Sequence, residues 1–424
     1  MKRVAVVGSG IAGLAAARAL AGHARVTLFE AADHFGGHAH TVDVTLGRRT
    51  HGVDTGFVVF NALASPRLAA LFAELGVATV RSEMSFSAQI PAAGLEWSSR
   101  GIDAVFAQRS NLLRPAFWNM LGEILRFDRQ AAPLARREAD TAHDDSVGDF
   151  LAAHRFSKGF RDWYLLPLLG SIWSCPTEQM LRMPAASMAR FCQDQGLLGA
   201  LHRQPWHSVR GGTSVYVDKM LAAVADARLA TPVRRIRRPP VGGADVSTDR
   251  GTERFDAVVL ACHSIDALAL LADASGDERD LLGAFRFQRN RAILHTDSGV
   301  LPMRKSAWAA WNYEAPRDGS AEDAAVCVHC LVNRVQPLPF DVPVIVSLNP
   351  IHEPVAASVQ GEFHYAHPVF DRRALAAQAR LPALQGRADT WFCGAWTGLG
   401  THEDGLASAL AVCARLTEAI AAER

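Results

Sequence analysis

The first thirty residues constrain the fold more than any other part of the sequence. A short β-branched run from Arg3 to Val7 leads into the segment Gly8-Ser9-Gly10-Ile11-Ala12-Gly13. The alanine- and leucine-rich stretch that follows predicts a helix to about residue 21, and a second strand is predicted from residue 24 to Glu30. This order of strand, glycine turn, helix and strand is typical of a βαβ unit that binds a dinucleotide.

The glycines of this segment have separate expected roles. Gly8 permits a tight turn, Gly10 lets a pyrophosphate approach the backbone, and Gly13 lets the helix pack on the strand. The phosphates would lie at the start of the helix, where free N–H groups and the helix dipole favour negative charge. The carboxylate of Glu30 can accept a hydrogen bond from a ribose hydroxyl. We therefore assign the six residues of the segment and Glu30 to a cofactor site.

Three further glycine sites indicate which dinucleotide binds. Gly36-Gly37 follows Glu30 closely, Gly211-Gly212 lies in the middle of the chain, and Gly394 precedes the final predicted helix. Sites so widely spaced favour one extended ligand that runs through a discontinuous domain, whereas a nicotinamide enzyme more often completes its site within one contiguous half. The pattern therefore favours FAD, and the single fingerprint predicts no separate NAD(P)H site.

Composition and charge exclude several other classes of protein. The chain has 424 residues, of which 49% are hydrophobic and 21% charged, so it is expected to fold into two or three lobes and not to be disordered. Its 44 basic and 43 acidic residues nearly cancel, so no overall charge attracts it to nucleic acid. The sequence shows no motif typical of serine hydrolases, zinc helices or P-loops, which favours redox chemistry on a small-molecule substrate.

The seven cysteines are scattered, which favours a reducing compartment over a disulfide framework, and we expect the protein in the cytoplasm. Cys327 and Cys330 have the spacing of a metal-binding pair, but they lie in a strand-like segment, where their thiols would point to opposite faces. We therefore predict two buried strand cysteines and no metal site. No continuous run of about 18 or more apolar residues predicts a membrane-spanning helix.

Motifs along the whole chain resemble those of a known superfamily. They are residues 4–60, which contain Val53-Asp54-Thr55-Gly56-Phe57, together with Ser171-Ile172-Trp173-Ser174 and residues 308–313, 346–350 and 392–412. The chain resembles the amine-oxidase-like flavoprotein superfamily, which includes monoamine oxidases and carotenoid desaturases. Within it, the chain is similar to a bacterial family labelled as NAD/FAD-binding proteins and associated with fatty-acyl-modifying enzymes.

The resemblance implies an α/β fold with a Rossmann-like FAD-binding domain and a discontinuous α+β substrate domain. We predict that residues 1–62, 208–272 and 384–424 form the FAD-binding domain. Residues 63–207 and 273–383 are then the substrate domain. The cofactor-binding segments would thus come together from the two ends and the middle of the chain.

The resemblance also implies which other residues contact FAD. Beyond the first glycine segment, the cofactor-binding candidates are Glu30, Gly36, Gly37, His38, Thr41, Asp54, Thr55, Gly56, Val233, Gly394 and His402. Val233 matches a strand position whose backbone meets adenine. Many members of the superfamily have arginines around the glycine pair, whereas this chain has His34 and His38. Many also have Gly-Asp in the late motif, where this chain has Gly394-Ala395.

The reacting end of the cofactor is expected at the final helix, which is predicted to begin near Asp404. The positive N-terminus of this helix would face the flavin and favour negative charge on its pyrimidine edge. His402 and Glu403 are the first catalytic candidates, although both also fit a helix cap. Lys305 is a third, because amine oxidases often hold a lysine near flavin N5, but it also fits a solvated side chain. Asp54 fits a loop-fixing acceptor better than a catalytic acid.

Three activities are compatible with this pattern. The first is desaturation or oxidation of a fatty-acyl or other lipid chain, in which FAD takes a hydride from an apolar substrate. The second is amine oxidation, and the third is a flavin isomerase, or a binding protein whose FAD is structural. The aromatic residues that fit either a substrate channel or the core are Trp163, Tyr164, Trp173, Trp308, Trp311 and Tyr313.

A stretch with basic flanks also suggests where the protein meets other surfaces. Residues 112–118 and 120–127 are amphipathic, and they fit either a packed core face or peripheral contact with the inner face of a membrane.

Overall fold

The computed structural model describes residues 1–136, 144–198, 204–317 and 325–422. Residues 137–143, 199–203, 318–324 and 423–424 lie outside the described ranges. The strands are β1 (Arg3–Val7), β2 (Arg25–Phe29), β3 (Thr41–Leu46), β4 (Arg49–Asp54), β5 (Phe60–Asn61), β6 (Thr79–Ser82), β7 (Phe86–Ile90), β8 (Leu95–Ser98), β9 (Trp206–Val209), β10 (Asp226–Arg228), β11 (Val233–Arg237), β12 (Ala244–Thr248), β13 (Gly251–Phe255), β14 (Ala257–Leu260), β15 (Arg286–His295), β16 (Trp311–Glu314), β17 (Cys327–Leu331), β18 (Ile345–Leu348), β19 (Val359–Val369) and β20 (Thr390–Phe392).

The helices connect these strands and form most of one lobe. They are α1 (Ile11–Leu20), α2 (Pro66–Glu74), α3 (Ile102–Val105), α4 (Pro115–Ala135), α5 (Val147–Ala153), α6 (Lys158–Phe160), α7 (Leu166–Trp173), α8 (Thr177–Arg182), α9 (Ala185–Asp194), α10 (Ser214–Leu221), α11 (Ser264–Leu270), α12 (Gly276–Leu282), α13 (Val332–Val335), α14 (Arg372–Arg380) and α15 (His402–Ala422). A π-helical stretch, Arg161–Leu165, precedes α7.

A parallel sheet of five strands, in the order β10-β2-β1-β14-β20, organises the cofactor half of the molecule. The strands come from both ends and the middle of the chain. All of their pairings are parallel, so their carboxyl ends meet at one edge, where folds of this type bind a ligand. This sheet confirms the predicted α/β class.

Both faces of this sheet are covered. On one face α1 packs against α15, and α2 and α10 complete a core around Leu14, Tyr216 and Leu406. On the other face, the small sheet β11-β12-β13 and helices α11, α12 and α14 bury Phe255 and Phe285. Because both faces are covered, β1 and β14 carry continuous apolar runs and not an alternating pattern. Helix α2 packs in this half although the predicted boundary lies at residue 62, and the division into domains stays a prediction.

A mixed sheet of seven strands, in the order β19-β15-β18-β17-β16-β7-β8, organises the other half. The pairing of β16 with β7 is parallel, and the other pairings in this sheet are antiparallel. Helices α4 to α9 cover part of one face and bury Trp97, Phe117 and Phe160. The β3–β4 hairpin covers another part with Val44 and Val53. The site lies where these two halves meet.

The amphipathic stretch that includes the start of α4 divides between core and surface. Phe117, Met120 and Phe127 are buried in the core, as the packed-face interpretation predicts. Leu113 and Trp118 point to solvent instead. The stretch is therefore only partly accounted for by packing within the chain.

The last helix, α15, has the length and composition of a membrane span, with a mean hydropathy of 1.4 over its most apolar window. The sequence of this helix is not a continuous apolar run, because charged residues interrupt it. In the fold, α15 packs along α1 and buries Leu406, Ala409 and Val412. Its apolar character is thus explained by the core of the cofactor half.

Candidate functional site

The turn before α1 is built for close approach. Gly8 has a φ of +99°, and a Cβ on it would lie about 3.1 Å from the backbone of Ala261. A Cβ on Gly13 would lie 1.8 Å from the carbonyl oxygen of Gly8. A Cβ on Gly10, by contrast, would meet nothing within 4 Å. The turn is therefore closed on its inner side and open at Gly10, as a phosphate-binding loop requires.

The start of α1 is also electrostatically suited to an anion. No side chain caps it, and its first turn contains no acidic residue. Its first N–H groups therefore stay available for phosphate oxygens. The glycine pair forms the opposite wall, since Gly36 makes an isolated β-bridge with Gly10, and a Cβ on Gly37 would lie 3.1 Å from the Cα of Gly10.

Glu30 lies at the end of β2, beside this turn. One oxygen of its carboxylate accepts hydrogen bonds from the Ser9 N–H (2.8 Å) and the Ser9 hydroxyl (2.6 Å), and the other accepts from the Ala32 N–H (2.8 Å). The backbone N–H of Thr231 donates to the Glu30 carbonyl at 2.7 Å, two residues before Val233 begins β11. The structure thus brings the segments of the predicted ribose and adenine contacts together through this hydrogen bond.

Asp54 joins three separate segments by hydrogen bonds. Its Oδ1 accepts from the hydroxyl of Thr41 (2.6 Å) and from the N–H and hydroxyl of Thr213 (both 2.8 Å), directly after the Gly211-Gly212 pair. Burial raises the pKa of the Asp54 carboxyl to about 6. This is the loop-fixing role expected for Asp54. Beside it, Thr55 shares a hydrogen bond with Tyr365, and a Cβ on Gly56 would lie 2.4 Å from the carbonyl of His38.

Histidines gather between the glycine pair and the other half of the molecule. The centroid of the His38 ring lies 5.3 Å from that of His367, 6.5 Å from that of His263 and 5.1 Å from that of Tyr365. The Nε2 atom of His38 is buried and has no hydrogen-bond partner among the described residues. Burial, and then the neighbouring histidines, hold the pKa of His38 well below 6.5, so its ring is neutral. Such an unsatisfied atom is suited to a ligand in this crevice.

The starts of α1 and α15 converge. A Cβ on Gly405, in the first turn of α15, would lie 2.9 Å from the side chain of Ile11, the first residue of α1. Gly394 leads into this region with a φ of +153°, and its N–H donates to the hydroxyl of Ser408 in α15. One ligand can therefore contact both helix N-termini, as the sequence interpretation requires.

The cap of α15 is formed by residues other than the two catalytic candidates. Asp404 accepts hydrogen bonds from the N–H (2.9 Å) and hydroxyl (2.7 Å) of Thr401, and the Asp404 N–H donates back to the Thr401 hydroxyl. Thr401 and Asp404 therefore form a capping box. His402 and Glu403 are free to point in other directions.

Glu403 does not face the cofactor crevice. Its carboxylate accepts from the backbone N–H groups of Arg67 (3.1 Å) and Leu68 (2.9 Å), at the start of α2, and pairs with the Arg67 guanidinium. It therefore caps a neighbouring helix across the core. This geometry corrects its assignment as a catalytic residue.

Lys305 also lies away from the crevice. It is exposed, and its ammonium stands 5.7 Å from the ring centroid of Trp308. Trp308 packs with Leu331 and Ile345, whose side chains lie on the face of the large sheet that α4 to α9 leave uncovered. The assignment of Lys305 to a position near flavin N5 is corrected accordingly.

His402 lines a cavity of about 270 Å³. Its ring stacks on Phe57 with centroids 3.6 Å apart, and its Nε2 shares a hydrogen bond of 3.2 Å with the hydroxyl of Tyr216. Burial lowers the pKa of His402 to about 3, so the ring is neutral at any ordinary pH. It can donate or accept a hydrogen bond at the cavity but brings no charge to it.

The cavity runs between the large sheet and the helices α7 and α9. The residues lining it are Phe57, Val59, Phe60, Ser65, Leu68, Met84, Ser85, Phe86, Ser99, Tyr164, Leu168, Ser171, Ile172, Phe191, Gln195, Gly196, Leu197, Trp206, Trp311, Gly400, Thr401 and His402. Of the six aromatic channel candidates, Tyr164 and Trp311 are among them. His402 was also predicted at this site, whereas the remaining lining residues were not assigned to a channel, because their common surface arises from segments far apart in sequence.

The other four aromatic candidates do not line this cavity. Trp173 and Tyr313 are buried in the core beneath α4 to α9, and Trp163 packs against the same core. Trp308 packs with the small cluster on the other side of the large sheet. These four aromatic residues therefore belong to hydrophobic clusters and not to the wall of this cavity.

The residues present fit FAD. The open space at Gly10 suits a diphosphate, the buried Nε2 of His38 has no hydrogen-bond partner among the described residues, and the converging helix starts suit a ligand long enough to reach the cavity. A parallel sheet with a crevice at its carboxyl edge is typical of the dinucleotide-binding proteins. Residues 11–300 match the model of the flavin-containing amine oxidoreductases, and the chain belongs to this family, whose cofactor is a flavin, generally FAD.

Individual relatives and structural neighbours are named for different activities. The carotenoid phi-ring synthase of Streptomyces griseus is 28% identical over 326 residues, which cover 68% of this chain and 57% of that protein. The chain thus spans less than two thirds of this relative. The CLA-producing fatty acid isomerase from P. acnes is similar in structure, with a TM-score of 0.68, 16% identity and 98% of each chain covered. Cyclohexylamine oxidase from Brevibacterium oxydans has a TM-score of 0.69 and 16% identity, over 98% of this chain and 99% of that one.

The two strand cysteines have different surroundings. Cys327 and Cys330 are both buried in β17 and lie on opposite faces of it, as predicted. On the Cys327 face, its thiol lies 3.4 Å from His329 Nε2, which lies 3.2 Å from a carboxylate oxygen of Glu314. These three residues form a group of potential metal ligands that the sequence analysis did not predict.

A chain of hydrogen bonds shows how protons are placed in this group. The N–H of Asp297 donates to Nδ1 of His295, so His295 donates through Nε2 to the hydroxyl of Ser347 at 2.7 Å. That hydroxyl then donates to Nδ1 of His329, also at 2.7 Å, which leaves the His329 proton on Nε2, directed at Glu314. This order puts a proton where a metal would bind, and the absence of a metal site stays a prediction.

Proposed function

We propose that the protein is an FAD-dependent oxidoreductase that takes a hydride from an uncharged apolar chain, of the fatty-acyl or other lipid class. The observation that carries the proposal is the apolar cavity, whose lining includes His402 at the start of α15. The family relationship supports the redox class, and the cavity supports the substrate class.

The walls of the cavity match such a chain. Phe60, Phe86, Leu168, Ile172 and Trp311 provide aliphatic and aromatic surface. Among the described residues that line it, none has an ionised side chain, and the polar groups are hydroxyls, one amide, two indole N–H groups and the neutral His402. An ammonium or carboxylate buried in such surroundings would be left without a counter-ion. The cavity therefore favours the uncharged part of a substrate.

Residues near His402 are suited to hold a substrate in place. FAD, when bound, would supply the hydride acceptor, so the protein would have to hold a substrate C–H bond beside it and exclude water. The stacked rings of Phe57 and His402 form one wall of the cavity, and Tyr216 fixes the His402 ring through its hydroxyl. The neutral His402 holds its proton on one ring nitrogen and can orient a polar group of the substrate through it.

Anaerobic mixing with three probes tests the proposal. Methyl oleate represents an uncharged acyl chain, sodium oleate the same chain with a charge, and cyclohexylamine an amine. We expect methyl oleate to bleach the visible flavin absorbance and to yield a product lighter by two hydrogens. Bleaching by cyclohexylamine alone would indicate an amine oxidase, and a product of unchanged mass would indicate an isomerase. Either result would overturn the proposal.

Replacing His402 and Glu403 separately distinguishes their roles. His402→Ala should slow flavin reduction by roughly a hundredfold, the lower end of what a positioned polar group supplies, while FAD remains bound. Glu403→Ala should leave that rate unchanged and lower the free energy of unfolding by about 1–3 kcal/mol, since it removes the cap of α2 and leaves buried N–H groups unpaired. Stopped-flow reduction and thermal unfolding measure the two effects. Equal rates for His402→Ala and the unmodified protein would reduce His402 to a structural residue.

A further inference from the structure

Large apolar side chains are exposed on three segments close to β8, the edge strand of the large sheet. Ile102 is 82% exposed, Leu113 87% and Met303 88%, and Leu112 and Trp118 are about half exposed. These five residues are called the apolar patch below. Side chains of this size are normally buried, and a group of them at the surface marks an interaction site.

Hydrogen bonds show that the segments carrying the patch are neighbours. The N–H of Met303 donates to the Glu96 carboxylate at 2.9 Å, and the amide of Asn111 donates to the Glu96 carbonyl at 3.0 Å. The Trp118 indole N–H donates to the carbonyl of Leu112 at 3.0 Å. Helix α3, which begins at Ile102, contacts the turn that follows Met303. The patch is thus formed by three neighbouring segments, at residue 102, at residues 112–118 and at residue 303.

Cationic side chains lie close in sequence to the residues of the patch. They are Arg100, Arg109, Arg114, Arg304 and Lys305. Among the described residues, the carboxylates in contact with them are Glu83, Glu96 and Asp103. Glu83 and Glu96 are already paired with Arg100 and Arg304, and Asp103 lies 3.9 Å from Arg109. The rim of the patch is therefore more cationic than anionic.

We propose that the apolar patch docks the protein on the surface of an anionic lipid bilayer. Leucine, isoleucine, methionine and tryptophan side chains insert at the level of the headgroups, and arginine and lysine bind the lipid phosphates around them. A second copy of the chain fits the surface less well, because two identical patches face to face would bring like charges together. Charge complementarity therefore favours an anionic bilayer over a second copy of the chain.

The patch lies close in sequence to the cavity wall, which relates docking to the proposed activity. Ser99 lines the cavity, and its hydroxyl accepts a hydrogen bond from the N–H of Phe86, another lining residue. Ile102 lies three residues further along the chain. Ile102 of the patch and Ser99 of the cavity wall therefore belong to one short segment, so docking brings the bilayer close to the cavity wall. This use rests on the proposed function, whereas the docking itself does not.

Co-sedimentation with vesicles tests the docking without any measure of enzyme activity. The unmodified protein should bind vesicles that contain phosphatidylglycerol at low salt and should bind pure phosphatidylcholine vesicles much more weakly. Leu113→Ser together with Met303→Ser should weaken binding at least about tenfold, and Arg109→Gln with Lys305→Gln should reduce the preference for anionic lipid. All four side chains are exposed, so folding should be unaffected.

A matched control is available on the opposite half. Val241, 89% exposed in the turn between β11 and β12, can be changed to serine and should leave vesicle binding unchanged. Equal binding by the Leu113/Met303 variant and the unmodified protein would overturn the proposal. So would concentration-dependent dimerisation in the absence of vesicles that this double variant abolishes, because the patch would then bind a second copy.

Discussion

Replacing Gly10 with valine should give a folded protein that no longer retains FAD. A Cβ at this position meets no protein atom within 4 Å, so the new side chain does not disturb the fold. It projects instead into the open side of the turn, where the diphosphate approaches the backbone. We expect FAD affinity to fall at least about a hundredfold, because the phosphates lose contact with the N–H groups at the start of α1. The ratio of visible to ultraviolet absorbance of purified protein, and titration of apoprotein with FAD, measure this.

Two other glycines serve as controls. Gly22 is exposed, and a Cβ there also meets nothing within 4 Å, so Gly22→Val should retain FAD fully. Gly13→Val should instead prevent folding, because its Cβ would lie 1.8 Å from the Gly8 carbonyl oxygen. Circular dichroism separates loss of the fold from loss of the cofactor. A folded Gly10→Val protein with unchanged FAD content would show that the diphosphate does not bind at this turn.

The affinity for FAD should rise as the pH is lowered, because His38 takes up a proton when the cofactor binds. Without a ligand, burial and the nearby His367, His263 and His402 keep the pKa of His38 well below 6.5, and burial lowers that of His367 to about 4. A diphosphate beside the unpartnered Nε2 of His38 favours the charged ring and raises its pKa. Binding then takes up a proton at pH values between the depressed pKa of His38 in the apoprotein and its higher pKa in the complex. The dissociation constant should change by up to about tenfold per pH unit for one proton.

His38→Gln should abolish this pH dependence while keeping a hydrogen-bond donor in place. Other polar groups facing the cluster are Tyr365 on β19, Asp266 beside His263, and Asn290, which lies 2.9 Å from the His367 ring. His23, exposed after α1, provides a control as His23→Gln. The depressed histidine pKa values destabilise the apoprotein as the pH falls below 6.5, so titrations belong at pH values where it remains folded. A pH-independent dissociation constant in the unmodified protein would contradict the proton uptake.

Local patterns in the sequence were sufficient for the elements that position FAD. The helix expected to begin near Asp404 begins at His402, and the strand predicted to end at Glu30 ends at Phe29. Both segments have a strong apolar pattern, and both lie close to glycines that are typical of turns. The amphipathic stretch at 112–127 was harder, because a helix with one buried face leaves the occupant of its other face undetermined. Packing buries Phe117 and Met120 but leaves Leu113 and Trp118 exposed.

The catalytic candidates show where such patterns stop being informative. His402 and Glu403 are adjacent in sequence, yet His402 lines the cavity and Glu403 caps a helix 335 residues away in the chain. Lys305 matched a residue of the superfamily by type, but its segment lies on the other side of the large sheet. Side-chain direction at a helix start depends on the neighbouring elements, and these are not encoded within a few residues.

The sequence by itself determined the phosphate-binding turn and the class of fold, because a glycine without a Cβ and a strand-turn-helix order are local requirements of backbone geometry. Only the tertiary structure decided that Phe57, Trp206 and Ile172 share one cavity and that His38 meets His263 and His367. These contacts join residues up to several hundred positions apart. They exist only after two sheets and their helices have packed, since burial and proximity are properties of the whole fold and not of any segment.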